Sequence, residues 1–377
     1  HNSDQHNFDP DQAFKDYARE TVPDAKTRSG WHIGLIYIGV GLSLPAFLTG
    51  AKVSHGLGLE YGALAIFVSS LILTAIGVMT GYVGGATRLS TYYITRHAFG
   101  TTGAKLINLI VALGSYGWFG VTIAFFAKAM EMLADRHMGI ALGETAWIII
   151  GTLLMVSTAL FGFRGLGRLS LVVVPLLFIL LAASVAQALS EQSIGELLEI
   201  KPDKNMAFGL AVSIIVGGWM QGVAILPDIA RYARNGLHGA LGGFLAFFIG
   251  LHAIIVPIML PALDTGKQDF VAIMTSYGWT LWAMIVVIFS AWSSNDNNLY
   301  SASLGLASIF ENVAKWKITL IAGLAGGGLA MAGILSHFVP FLSFLGAVIS
   351  PVAGIYCADF LLHRKHFEAS NTDREAI

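Results

Sequence analysis

The sequence predicts an all-α polytopic membrane protein, on three observations. Of its 377 residues, 55% are apolar and only 12% charged, about half the charge content of an ordinary globular chain. Mean hydropathy is +0.69, more than a water-facing surface accommodates. After a polar opening stretch the apolar residues form ten continuous runs, most of them near or above the ~20 residues that cross a hydrocarbon core as helix. These runs are about twice as long as the alternating segments of a membrane β-barrel. The 43 glycines follow no collagen period, a lone cysteine (Cys357) excludes a disulfide framework, and a net charge of −1 offers nucleic acid no basic surface.

The elements follow in order. Residues 1–30 are polar and read as a solvated tail, and His1 in place of Met leads us to expect trimming at that end. Spans are expected at 31–54, 61–86, 104–133, 144–162, 169–189, 207–232, 241–263, 270–310, 318–335 and 338–362. The string LSTYYITRHAFG, 89–100, is too short and polar to cross and reads as an amphipathic interfacial stretch or a plain loop. Lys and Arg gather on cytoplasmic flanks. With the first tail inside, only Lys128, Arg136, Lys201, Lys204 and Lys267 lie on outer flanks, and Lys52 lies within the first span. Both termini are therefore expected in the cytoplasm. Ten spans divide into five-helix repeats at 31–189 and 207–363, joined by an extracellular linker at 190–206 and followed by a cytoplasmic tail at 364–377. An odd number per half forces opposite topologies, the arrangement of inverted-repeat transporters.

In such transporters the site lies at mid-membrane, where helices break. The first span carries Gly39, Gly41, Ser43 and Pro45, and the sixth carries Gly217, Gly218, Gln221, Gly222 and Pro227. Each cluster reads as a break that frees backbone groups for a ligand, or as packing glycines beside a proline kink. The eighth span holds six consecutive polar residues from Ser293 to Asn298, costly in hydrocarbon unless paired or facing a wet cavity. They cover the whole helix circumference, so the cluster reads either as one stripe, Ser294, Asn295 and Asn298, lining a substrate cavity while hydroxyls at its edge complete a cation shell, or as a polar cluster that only ties helices together. Trp118, beside Ser115 and Gly117, and Trp219, beside Gly218, are candidate stacking walls for a flat ligand. Lys52 reads as a snorkelling cation and His252 as a hydrogen-bonded structural residue or a proton relay. Asp228 and Arg231 read as an inner gate or a helix-end ion pair, and Glu311 with Lys315 as a surface pair. No P-loop, HExxH or GxSxG constellation occurs, so no enzymatic activity is expected.

Four strings, GWFGV at 117–121, PDIARYARN at 227–235, WSSNDNNLYSASLGLASI at 292–309 and SPVAGIYCADFLLHRK at 350–365, resemble the nucleobase–cation symporter family 1 in its bacterial cytosine permease branch. Their order and spacing match along nearly the whole chain. The resemblance implies a LeuT-type core of ten helices with the first and sixth broken, in a family that normally has twelve. It implies uptake of a nucleobase coupled to Na⁺. Carried over, the ion's ligands are the carbonyls of Gly41, Leu44 and Ser290 and the hydroxyls of Ser293 and Ser294. The substrate stacks on Trp118, is flanked by Trp219, and hydrogen-bonds near Ser115, Gly218, Gln221 and Asn295. Three positions depart from the cytosine carriers, which present Gln at Ser115, Ser at Gln221 and Phe at Trp219. The ring is therefore expected to be cytosine, another pyrimidine, a purine or a hydantoin-like heterocycle.

The expected function is a secondary transporter of the bacterial inner membrane that imports a planar nucleobase with Na⁺ by alternating access. Its partners are the small heterocycle and the lipid bilayer, with no nucleic acid and no obligate protein partner. A proton-coupled carrier of the same fold is the nearest alternative. A membrane receptor or sensor that binds without transport is the alternative from another class.

Overall fold

The computed structural model describes residues 21–161, 165–202, 206–307, 309–310 and 312–364. The tail readings at 1–20 and 365–377, and Glu311 of the expected surface pair, lie outside the described residues.

The first span is divided. Helix α1 (Gly30–Gly41) is capped by the Ser29 side chain, which accepts from His32 N. It stops at Leu42, and Ser43 is fully extended (φ −146°, ψ 160°) before α2 (Leu44–Thr87) begins with Pro45 in its first turn. Proline suits that place because its missing N–H is one the helix start leaves unpaired anyway. α2 contains two spans, turned against each other at Gly58, whose φ of +76° is a left-handed conformation that glycine adopts without penalty. α3 (Thr91–Met138) turns in the same way at Gly100, φ +70°. The polar 89–100 stretch is thus mostly a short helix leading into the third span. α4 (Glu144–Phe161) and α5 (Gly165–Glu191) complete the first half.

A short helix, α6 (Ile194–Glu199), sits in the linker behind a capping box of Ser193 and Glu196. α7 (Phe208–Ala224) runs without interruption through Gly217, Gly218 and Gly222, and breaks only at Ile225–Leu226, ahead of the single turn α8 (Pro227–Ala230). The sixth helix is broken, but at its proline end and not at its glycines. The seventh span is α9 (Gly236–Phe244), one π-helical turn (Leu245–Gly250) and α10 (Leu251–Thr265). The expected eighth segment, 270–310, separates into α11 (Phe270–Ser276) and α12 (Thr280–Ala307), because Gly278 at φ +82° turns the chain between them. α13 (Lys315–Met331) and α14 (Phe338–Leu362) close the molecule. Among the described residues six helices are long and apolar enough to cross a membrane; α12, with its polar string, is not among the six.

The packing pairs the two halves. α1 and α2 lie against α7, α8, α9 and the π turn, and α2 lies also along α10. α3 and α4 lie against α12 and α13. Each set therefore takes spans from both halves, while α5 touches α10 and α12, and α14 touches α7, α3 and α2, so these two bridge the sets. Within the first set glycine lets backbones meet. A methyl group at Gly81 would strike the Gly239 carbonyl, and one at Gly243 would strike Gly77. Gly77, Gly81 and Gly85 thus form a stripe of four-residue spacing facing Gly239 and Gly243, the small-residue contact of membrane helices.

Candidate functional site

The break in the first span and the polar string of α12 are the two places where the sequence put chemistry, and the structure gives each a setting. At the break, the Gly41 carbonyl accepts only a long bond from the Ser43 hydroxyl, at 3.4 Å. Trp219 of α7 reaches this point: its Nε1 would lie 3.6 Å from a methyl at Gly41. Tyr37 of α1, which the sequence reading did not single out, is buried and donates its hydroxyl to the Gly222 carbonyl at 3.1 Å. Gly222 therefore has its carbonyl occupied, and Gly217 lies against Leu342 and Gly346 of α14 with no space for a side chain. Gly217 packs helices; Gly218 stays looser, with Leu342 methyls 3.7 and 3.8 Å from a Cβ placed there.

Trp118 is half-buried in α3. Two aromatic rings of α14 meet it in T-shaped contacts, Phe341 at 5.3 Å and Phe338 at 6.4 Å, both at 75°. Such edge contacts fix the indole plane. One turn earlier, Ser115 donates to the Val111 carbonyl at 3.1 Å and accepts from Gln221 Nε2 at 3.0 Å. Gln221 Nε2 also points to the Val111 carbonyl, at 3.4 Å. These bonds fix the amide's orientation and leave Gln221 Oε1 buried without a partner. A buried acceptor left unpaired costs about 1–3 kcal/mol, so it marks a place where a donor is wanted. A methyl at Gly114 would collide with that oxygen.

In α12, Ser290 and Ser293 are buried and Ser294 half-buried. Most hydroxyls in these helices bond back to a carbonyl one turn earlier, as Thr49 does to Pro45, Ser69 to Ala65 and Thr87 to Val83. Among the described residues no hydrogen bond engages the side chains of Ser290, Ser293 or Ser294, so their oxygens are uncommitted. Asn295 is fully buried and committed: Nδ2 donates to the Phe119 carbonyl at 3.2 Å and lies 3.4 Å from Met155 Sδ, while Oδ1 accepts from Asn298 at 3.2 Å. It ties α12 to α3, at the residue after Trp118, and to α4.

The two faces of the bundle differ. On the face that gathers Asp24, Arg88 and Arg234, the terminal face, an extended strap precedes α1. Arg28 N donates to the Tyr232 carbonyl at 2.6 Å and Arg234 N to the Arg28 carbonyl at 3.0 Å, while Asp24 meets Arg88 at 2.5 Å. Asp228 Oδ1 accepts from Thr91 N at 2.7 Å, and Arg231 Nε donates to the main-chain carbonyl of Asp228 at 3.0 Å, so this motif joins α8 to the start of α3. On the opposite, far face a cavity of about 620 Å³ descends between α3, α11 and α12. Lys128, Asp135, Arg136, Glu144 and Asp269 stand at its mouth, and it reaches Leu44 at the break and Val287 of α12. Lys52 reaches Gln268 at 3.5 Å on this face. His252 bonds the Phe248 carbonyl at 2.7 Å, the structural arrangement.

The profile of the family described as permease for cytosine/purines, uracil, thiamine and allantoin matches residues 21–375. This chain belongs to that permease family. It is 29% identical over 359 residues to the cytosine permease of Escherichia coli O157:H7, covering 95% of this chain and 84% of that protein. The solved structure of Mhp1 in its inward-facing conformation is similar at a TM-score of 0.81 and 20% identity, covering 92% of this chain and 79% of that one. A closed conformation of Mhp1, described as a nucleobase-cation-symport-1 family transporter with bromovinylhydantoin bound, is similar at a TM-score of 0.75. The family is one of permeases and not of enzymes, and the fold is the LeuT type. The pairing of spans one and two with six and seven, and of three and four with eight and nine, is that fold's architecture.

Proposed function

We propose that this permease carries a planar nucleobase-type heterocycle, cytosine or a close relative, together with Na⁺ as co-substrate. The observation that carries the substrate reading is the unpartnered Gln221 Oε1, buried beside Ser115 within a turn of Trp118 and Trp219. A ring stacked on Trp118 and flanked by Trp219 presents an N–H to that oxygen, and Gly218 gives it backbone access. Asn295 holds the Trp118 segment through the Phe119 carbonyl. For Na⁺, the uncommitted hydroxyls of Ser293 and Ser294 with the carbonyls of Gly41, Leu44 and Ser290 make an all-oxygen set suited to a hard cation. No carboxylate belongs to it, which suits an ion that must also leave.

Transport follows from the two helix sets. The far-face cavity admits ion and ring as far as the break. Rocking of one set against the other, about α5 and α14, then opens the terminal face once its strap lets go. The Lys and Arg distribution supports a terminal face on the cytoplasmic side, and the reading places the carrier in a bacterial inner membrane. A panel of nucleobases and hydantoins, read by thermal unfolding with and without Na⁺, tests the reading, since a ligand that binds the folded state raises its stability. At least one ring should stabilise the protein more in Na⁺ than in choline, and Gln221→Leu should remove that gain. Absence of stabilisation by every ring in Na⁺ would overturn the substrate class.

A further inference from the structure

A second cavity, of about 420 Å³, lies on the terminal face between the end of α2, the start of α9 and the end of α14. It lies apart from Trp118, Gln221 and the serines of α12. Arg88, Arg234 and Arg364 all line it, and among the described residues no carboxylate does. Asp24, from the strap, pairs with Arg88. Arg88 is also the one described non-glycine residue with a positive φ, +54°, and its Nη2 donates to the Arg234 carbonyl at 3.1 Å. That bond holds the Arg88 guanidinium against the Arg234 main chain at the cavity wall, and guanidinium groups make the strongest, charge-assisted bonds to an anion. The helix that opens here adds positive potential of the same sense. Its first residue, Gly236, lines the cavity, and Asn235 Oδ1 caps it by accepting from His238 N at 3.0 Å.

The surroundings indicate where such an anion comes from. Leu237 lines the same cavity and is 74% exposed, and Leu361 and Leu362, just before Arg364, are 63% and 78% exposed. Guanidinium groups beside open leucines at the end of a membrane bundle match a charged headgroup with acyl chains below it, and basic pockets between membrane helices are known to take such headgroups. We propose that the cavity between Arg88, Arg234 and Arg364 binds the phosphate of an anionic phospholipid, with its acyl chains against Leu237, Leu361 and Leu362. This site is separate from the transport site, and its failure leaves the substrate reading intact.

The test is thermal unfolding of the full chain in neutral detergent, titrated with short-chain phosphatidylglycerol, short-chain phosphatidylcholine or sodium phosphate. Phosphatidylglycerol should raise the melting temperature with saturation, and the other two should not. The double variant Arg234→Gln/Arg364→Gln should need more phosphatidylglycerol, by about fivefold per arginine removed. A control on the far face, Lys128→Gln/Arg136→Gln, should respond as the parent does. Arg364→Gln alone, at the exposed end of α14, serves if the double variant does not fold. An equal response to phosphatidylcholine, or an unchanged response in the arginine variants, would overturn the site. An equal response to sodium phosphate would make it a site for the free anion and overturn the lipid assignment.

Discussion

At the scale of single residues, the proposed substrate site rests on one plane and one oxygen. Stacking of a base on an aromatic side chain is worth about 1–3 kcal/mol, so Trp118→Ala should weaken substrate binding by about five- to hundredfold, measured by equilibrium binding of a radiolabelled ring. Trp118→Phe should recover part of it; unchanged binding in Trp118→Ala would remove the stacking assignment. The sequence marked Trp118, Trp219, Ser115 and Gln221 because polar and aromatic residues beside glycine stand out in an apolar run. It could not mark Phe338 and Phe341, which brace Trp118 from α14, nor Tyr37, whose hydroxyl reaches Gly222. Those pairs join residues far apart in the chain, and an aromatic in an apolar span carries no mark of its partner. Asn295 shows the same limit, since its type was legible while its commitment to Phe119 and Met155 was not.

At the scale of helices, the two expected breaks are physically different. In the first span Pro45, Ser43 and two glycines act together, and the helix ends at Gly41. In the sixth, Gly217 serves a close approach to α14 and the helix breaks only near Pro227. Much of the glycine excess likewise packs α2 against α9, an assignment that requires knowing which helices meet. Gly81→Val should therefore destabilise the protein by about 1–3 kcal/mol as an overpacked contact, seen as a lower melting temperature, whereas Gly354→Val, where nothing lies within 4 Å of a Cβ, should leave it nearly unchanged. The uncommitted hydroxyls of α12 give a separable prediction. An oxygen bonded to a charged group is worth about 1.5–3 kcal/mol, so Ser293→Ala/Ser294→Ala should raise the Na⁺ concentration for half-maximal uptake by tenfold or more. Substrate binding measured without Na⁺ should change little. An equal loss in both measurements would place these serines at the ring and not at the ion.

At the scale of the molecule, composition and the apolar runs were enough for the class, an all-α polytopic membrane protein. The inter-set pairing and the strap at Arg28 were not legible, because both consist of contacts between distant backbone segments. Together they place a cavity that reaches Leu44 at the helix break on the far face, and a backbone strap at Arg28 on the terminal face. The central claim is that a gradient of Na⁺ drives a heterocycle through this bundle. It is tested most directly by uptake of radiolabelled cytosine, uracil and hydantoin into proteoliposomes, with an inward Na⁺ gradient or with choline in its place. At least one ring should accumulate above its outside concentration only with the Na⁺ gradient, and the accumulation should collapse when the gradient is dissipated. Accumulation that ignores Na⁺ and follows an imposed pH gradient would contradict that claim.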